Sequence, residues 1–318
     1  VFFMLSPAQR TQFLDPGYLV VEDVIDETTL EAVRREYAER MDELYGEWLG
    51  QGLVEPAADG MTFWDKLDRC YGAGFDWYQP FDISLPHDGI NDRTPMHFGP
   101  AVFDLVTHPK VLDIVETLIG PEISSNPIQH VRIKPPQRHL PGDESRAHVT
   151  VTDWHQDRGV GLPEADQTEV VTVWVAITDA TPENGCLQVI PGAGKEMYPH
   201  CLKTQVAIAD GFVDVSKAVA APVRAGGIIL LHPLTPHSSL PNNSDGYRWS
   251  FDLRYNVTGQ PTGRGHFPEF VARSRANPAS ELRDWREWRA LWQAARAHLA
   301  HAPHVAQHRW PSDGPHCA

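Results

Sequence analysis

Positive charge is scarce in this chain of 318 residues. Lysine and arginine total 27 against 42 aspartates and glutamates, a formal net charge of −15 with histidine neutral. A nucleic-acid or anionic-membrane surface needs a positive field, so neither partner is expected. Long apolar runs are missing too. None approaches the roughly 18–20 residues of a membrane helix, and residues 1–5, although apolar, have no basic flank and no cleavage site. Cysteine is limited to Cys70, Cys186, Cys201 and Cys317, without paired spacing. That reads as free thiols in a reducing cytoplasm. There is no internal repeat and no long linker. What is left is a chain with 42% hydrophobic and 22% charged residues, ordinary for a globular protein and ample for a sizeable core. Its balance suits an enzyme for a small substrate.

The first 120 residues read mostly helical. Residues 6–13 form a short helix, 18–21 a strand, and 27–49 the clearest helix, capped by Asp26 or by a Thr28–Glu31 capping box. Leu30, Val33, Tyr37, Met41, Leu44 and Trp48 recur on one face of it, as core packing requires. Residues 60–98 read as irregular and aromatic, and 100–118 as a second helical region. From about residue 122, short β-rich runs alternate with Pro, Gly and Asn turns, as in a sandwich or barrel. They cover 128–133, 147–154, 169–178, 185–190, 226–232 and 247–257. Asn277-Pro278 opens a C-terminal helix. Residues 301–318, with four histidines among prolines and glycines, read as a mobile tail, and no tight pairing makes those histidines a metal site.

Chemistry concentrates in the β-rich part. Residues 152–159 read TDWHQDRG, placing His155 and Asp157 two residues apart. On a strand, residues two apart share a face. His-x-Asp alone is a weak signal, and its bland reading is a hydrogen-bonded structural histidine. A second histidine lifts it: His237 follows the apolar strand 226–232 and precedes a polar turn. His232 competes with it for that role. The next strand, 248–255, alternates Trp249, Phe251, Leu253 and Tyr255 on one face with Arg248, Ser250, Asp252 and Arg254 on the other. The apolar face should meet helices and the polar face a barrel interior. Two histidines and one carboxylate on a β-scaffold make the facial triad of non-haem Fe(II) oxygenases, with positions left for co-substrate and dioxygen. An arginine nearby clamps a carboxylate with two parallel hydrogen bonds.

These motifs resemble the phytanoyl-CoA dioxygenase family of Fe(II)/2-oxoglutarate oxygenases over roughly residues 10–260. The matching segments are Trp154-His155-Gln156-Asp157, the run from His237 to Ser244, Arg248 eleven residues past His237, and the turn from Asn184 to Gly192. The resemblance implies a mainly β core with flanking helices: a double-stranded β-helix, or cupin-like jelly-roll barrel, with a helical N-terminal region and a C-terminal helix. It implies one oxygenase domain over 1–300, with helical support in 1–120, the barrel in 121–260, a helical segment in 261–300 and the tail 301–318. His155, Asp157 and His237 become the iron ligands, with His237 preferred to His232 because of the Ser-x-x-Asn pattern and the arginine offset. Arg248 and Ser239 would bind the far carboxylate of 2-oxoglutarate, Trp174 would line its pocket, and Gln129 and Lys134 would reach its C1 carboxylate. The chain departs from the family at Gly226-Gly227 and Ala193-Gly194, both read as local turn variation.

The activity so implied is oxidation of a C–H bond with dioxygen, coupled to conversion of 2-oxoglutarate to succinate and CO2. Halogenases of this chemistry replace the carboxylate with a small residue, so Asp157 points to oxygenation. The substrate is expected to be a small metabolite, of the secondary-metabolite kind. An acyl-CoA would want a larger basic surface. The basic stretch Arg132, Lys134, Arg138, His139, Arg146 and His148 is read as a solvated loop, with recognition of a substrate anion as its sharper reading. Two alternatives stay open: a cupin-type metalloenzyme that does not use 2-oxoglutarate, and a non-catalytic barrel that binds a small molecule.

Overall fold

Period-two alternation in the second half of the chain becomes a barrel, and the helical stripe of the first third becomes its outer support. The computed structural model describes residues 3–140, 142, 144, 146, 148–203 and 205–317. In chain order these form α1 (Pro7–Leu14), β1 (Tyr18–Val21), α2 (Glu27–Gly50), α3 (Phe63–Ala73), α4 (Pro100–Val106), α5 (Pro109–Ile119), β2 (Glu122–Lys134), the single-turn α6 (Asp157–Val160), β3 (Val170–Ala176), β4 (Leu187–Val189), β5 (His200–Leu202), β6 (Val206–Ile208), β7 (Val219–Ala221), β8 (Ile228–Leu231), β9 (His237–Ser239), β10 (Arg248–Val257), β11 (Phe270–Ser274) and α7 (Trp285–Leu299). A six-stranded sheet in the order β1-β8-β3-β10-β2-β11 faces a smaller sheet, β7-β4-β9, and β5 and β6 pair separately. The pairings are antiparallel. The architecture is the jelly roll of the double-stranded β-helix. No helix among the described residues is long and apolar enough to cross a membrane.

The two faces of β10 decide where core and site lie. Trp249, Phe251, Leu253 and Tyr255 point outward and are buried under the helices. Tyr37 of α2 packs on Trp249 and Phe251, with ring centroids 5.0 and 5.9 Å apart, and Phe63 of α3 stacks on Trp249 at 5.8 Å. Burying each such side chain contributes roughly 1.5–3 kcal/mol. Arg248, Ser250, Asp252 and Arg254 point inward and are as thoroughly buried. A smaller apolar cluster closes one end of the interior, with Ala176, Leu187, Val189, Val223 and Ile229 among its members.

Several elements differ from the expectations. Residue 147 lies outside the described residues, and 148–154 form no strand. The amides of Val149 and Thr150 both turn back to the Arg146 carbonyl, and 151–154 join no ladder. The irregular stretch 60–98 contains α3, started by a Thr62–Asp65 capping box. The region 100–118 is two helices, because Pro109 cannot donate into the first and starts the second instead. Asp26, rather than Thr28, caps α2. Asn277-Pro278 opens only a 3-10 turn, and α7 begins later, capped by Asp284.

The C-terminal segment packs on the barrel, against the expectation of a mobile tail. Gln307 is buried, Arg309 pairs with Asp166 at 2.6 Å, and the Trp310 indole donates to Gly159 O at 2.7 Å. Cys201 and Cys317 are joined in a disulfide, so only Cys70 and Cys186 are free thiols. Spacing concealed this pair, because 116 residues separate two cysteines that the strap's path over the barrel brings together.

Candidate metal centre

His155 and His237 meet through a two-residue bridge between backbones. Each donates its N–H to the other's carbonyl at 3.0 Å, which sets their imidazoles side by side with centroids 4.2 Å apart. Asp157 reaches the same point by another route than the one the sequence suggests. It is the first residue of α6, so the chain leaves the bridge and turns into a helix between the two residues. Gln156 makes that turn possible. Fully buried and aimed away from the site, it accepts from Tyr198 N at 2.8 Å and donates to Glu196 O and Leu234 O at 2.8 and 2.6 Å. Its own amide donates to His200 Nε2 at 3.0 Å.

One atom from each of His155, Asp157 and His237 lies within 4.8 Å of the other two, and this is the one such group among the described residues. His155 Nε2 is 3.7 Å and His237 Nε2 3.9 Å from Asp157 Oδ1. Each histidine donates from Nδ1 to a backbone carbonyl, His155 to Asp153 at 2.9 Å and His237 to Thr235 at 3.0 Å. A carbonyl can only accept, so Nδ1 carries the proton and Nε2 presents a lone pair inward. Burial and the His155 imidazole push His237 down to about 4, against the opposing pull of Asp157. Burial would raise the Asp157 carboxyl, but Arg254, His237 and His155 outweigh it and hold the group well below the carboxylate range. This is a neutral-histidine, ionised-carboxylate donor set for a divalent cation.

Arg248 lies deeper on the same face. Its guanidinium is 1% exposed, donates to Ser250 Oγ at 2.7 Å and sits 5.1 Å from the centre of the Trp174 ring. No carboxylate lies within ion-pair distance of it among the described residues, and its Nε has no hydrogen-bond partner. Burial, with Arg132 nearby, lowers it to about 10. Ser239 Oγ accepts from Thr152 N at 2.9 Å and from Lys134 Nζ at 2.7 Å, which leaves its hydroxyl proton to donate.

The remaining sequence candidates separate. Lys134 is opposite Arg248 in the β2–β10 register, on Ser239 and Leu240 O, and so lies at the Arg248 end of the cavity rather than at the histidines. Burial, Arg248 and Arg132 push its ammonium well below the lysine range. Gln129 is not in the cavity: its amide donates to Ile83 O at 2.9 Å. His232 packs against Phe13 and accepts from Leu234 N, away from the triad. Most of the basic stretch is already engaged: Arg138 pairs with Asp245, Arg146 with Glu144 and Arg132 with Asp252, and His139 Nδ1 hydrogen-bonds with Asp68 at 3.1 Å.

Two residues given no role from sequence complete the centre. Thr172 donates to Asp157 Oδ2 at 2.6 Å, and Arg254 ion-pairs with Oδ1 while donating to Ile128 O at 2.9 Å. Strand periodicity could have found both, since Arg254 shares a face with Arg248, and Thr172 with Trp174.

Comparison with known proteins agrees with this geometry. A family model described as phytanoyl-CoA dioxygenase (PhyH) matches residues 13–250. The phytanoyl-CoA dioxygenase domain-containing protein 1 of Danio rerio is 30% identical over 270 residues, which cover 77% of this chain and 88% of that one. Among solved structures, the non-heme monooxygenase ThoJ without ligand aligns with a TM-score of 0.58 at 19% identity, covering 91% of this chain and 97% of its own. The epimerase SnoN in complex with Fe3+, alpha ketoglutarate and nogalamycin RO aligns with a TM-score of 0.52 at 21% identity, covering 80% and 86%. At these identities the structural likeness speaks to the fold.

Proposed function

The chain belongs to the phytanoyl-CoA dioxygenase family, and from that premise we propose that it oxidises a C–H bond of a small molecule using Fe(II), 2-oxoglutarate and dioxygen. One observation carries the reading: beside three converging metal-ligand atoms, His155 and His237 share a cavity with Arg248, a buried arginine with no carboxylate in ion-pair reach among the described residues. Lys134 is a second buried basic group with no carboxylate in ion-pair reach among the described residues, and a bound anion would favour its charged form. A dicarboxylate fits such a pair, and a cupin enzyme without 2-oxoglutarate would leave both uncompensated.

Each part of the chain then has a task. His155, His237 and Asp157 would hold the iron from one side through Nε2, Nε2 and Oδ1. Thr172 on Oδ2 keeps that carboxylate from turning. Arg248, with the Ser239 hydroxyl and Lys134, would hold the far carboxylate of 2-oxoglutarate, and Trp174 walls the space beneath the guanidinium. Iron with 2-oxoglutarate supplies the oxidising power for C–H attack. The apolar end of the barrel excludes water from it. The retained carboxylate supports oxygenation over halogenation. The substrate is taken to be a small metabolite: SnoN, with its bound nogalamycin compound, offers a precedent for this fold.

The test is anaerobic addition of Fe(II) and 2-oxoglutarate, which should produce a visible charge-transfer band. His155→Ala should lose metal binding, whereas Arg248→Ala should keep the metal and weaken 2-oxoglutarate on the order of 10- to 100-fold. Absence of the band in the wild-type protein would overturn the reading. A metabolite screen for substrate-stimulated succinate release, followed by product mass, distinguishes hydroxylation from desaturation.

A further inference from the structure

Beside the metal centre lies a second buried arginine with no carboxylate in ion-pair reach among the described residues. Arg264 is 2% exposed. It contacts only neutral partners: Gln307 Oε1 at 2.8 Å, Val160 O at 3.2 Å and His87 Nδ1 at 3.2 Å. Its Nε has no hydrogen-bond partner, and neither has Nδ1 of the adjacent His308. Glu164 and Asp88 are felt here only at longer range. The other inward arginines are matched, Arg132 by Asp252 and Arg254 by Asp157.

The group borders an opening. His87 is exposed to solvent, yet burial and the Arg264 and His308 charges push its imidazole down to about 4. Arg264 therefore reaches the surface through His87, whose Nδ1 it contacts at 3.2 Å and which also meets Gln307 Oε1 at 2.9 Å. His308 faces His87 with ring centroids 4.6 Å apart. The other side of Arg264 meets the element that carries the metal centre: Val160, which it holds, closes the helical turn that begins at Asp157, and Leu162 N donates to Gly263 O just beyond it. In a chain of net charge −15, this group sets one buried guanidinium among histidines and an amide. Arg264, Gln307 and His308 lie outside residues 13–250 matched by the family model.

We propose that Arg264, with His87 and His308, forms a substrate subsite for a carboxylate or phosphate carried by the molecule that is oxidised. The inference rests on reading His155, Asp157 and His237 as the oxygenase centre. A buried guanidinium is costly without a counter-ion, and here the substrate supplies it. Arg264 holds the carbonyl of Val160, three residues after Asp157, so an anion there would lie beside the metal centre, which suits a small acid oxidised near its charged group.

Hexanoate, hexyl phosphate and hexanol are the probes, titrated by ligand-detected NMR with and without saturating 2-oxoglutarate. An anion held at Arg248 is displaced by 2-oxoglutarate, and one held at Arg264 is not. With 2-oxoglutarate present, one anion or both should bind at least tenfold tighter than hexanol, and the better anion names the substrate's charged group. Arg264→Gln should lose the preference and Arg264→Lys should keep most of it. Equal binding of all three probes, or a preference that survives Arg264→Gln, overturns the proposal. If Arg264→Gln does not fold, His87→Glu at the exposed position serves: it places a carboxylate beside Arg264 and should abolish the preference, and an undiminished preference rejects the subsite. The charge-transfer band of the wild-type protein reports the oxygenase reading separately, so either can fail alone.

Discussion

Arg254 ion-pairs with the same oxygen of Asp157, Oδ1, that faces both His155 and His237, while Thr172 takes Oδ2. The carboxylate is therefore held at both oxygens before any metal arrives. A carboxylate locked in this way would offer one oxygen to a metal and would leave other positions for co-substrate and dioxygen, which a swinging carboxylate would not.

Loss of this brace should weaken metal binding. Arg254→Gln is expected to lower Fe(II) affinity about tenfold or more, the usual scale for partners of a ligand. Thr172→Val removes one hydrogen bond to a charged group, about 1.5–3 kcal/mol, and should cost a comparable factor. Competition with a metal-chelating dye checks both, and wild-type affinity in both variants would show that the brace is not needed.

Lys134 and Gln129 should part company. Lys134→Met is expected to raise the 2-oxoglutarate Kd at least tenfold while leaving Fe(II) affinity near wild type. Gln129→Ala should leave the 2-oxoglutarate Kd unchanged and cost about 1 kcal/mol of stability through its lost bond to Ile83. Isothermal titration and denaturant melts separate the outcomes. A Gln129 effect on 2-oxoglutarate would contradict its position outside the cavity.

His200 should make stability fall in mild acid. It is buried, donates from Nδ1 to Tyr198 O and accepts at Nε2 from Gln156 N, so only the neutral ring fits. Burial first, with His155 and Arg309, pushes it down to about 4. A histidine lowered on folding stabilises fully above its unfolded value of about 6.5, and that contribution is lost as pH falls toward 4. Its size is on the order of 3 kcal/mol. Melting temperature followed from pH 7.5 to about 4.5 should decline, and less steeply in His200→Gln. Identical slopes would remove His200 as the cause.

Trp249→Ala tests the outer face of β10. The side chain is 2% exposed and packed on Tyr37 and Phe63. The substitution should cost about 3–5 kcal/mol, read as a lower denaturant midpoint. A loss below about 1 kcal/mol would mean the helices are not seated on this strand.

Much of this was legible in the residue order. Alternation along 248–255 separates a face for helices from a face for the site, because strand period is two whatever the surroundings. His155 and Asp157 stood out by their spacing, His237 and Arg248 by the resemblance to the family, and the fold brings the three donor atoms of His155, Asp157 and His237 together. Other features were not. Asp157 joins His155 through a helical turn that depends on Gln156 finding partners some 40 to 80 residues further on. Gln129, by contrast, could have been excluded from sequence, since it shares the outward face of β2 with Val131 and Ile133, opposite to Arg132 and Lys134. The Cys201–Cys317 pair and the packed C-terminal strap depend on contacts across more than a hundred residues.

Residue order alone determined which side chains can ligate a metal, which strand face is polar, and that the chain carries an excess of acid. Those are properties of composition and of local backbone period. Tertiary structure alone decided which cations go without a counter-charge. Arg132, Arg248, Arg254 and Arg264 look alike in sequence, yet among the described residues two of them meet a carboxylate and two do not. Coulomb energy depends on distance and burial, and both are set only when the barrel closes.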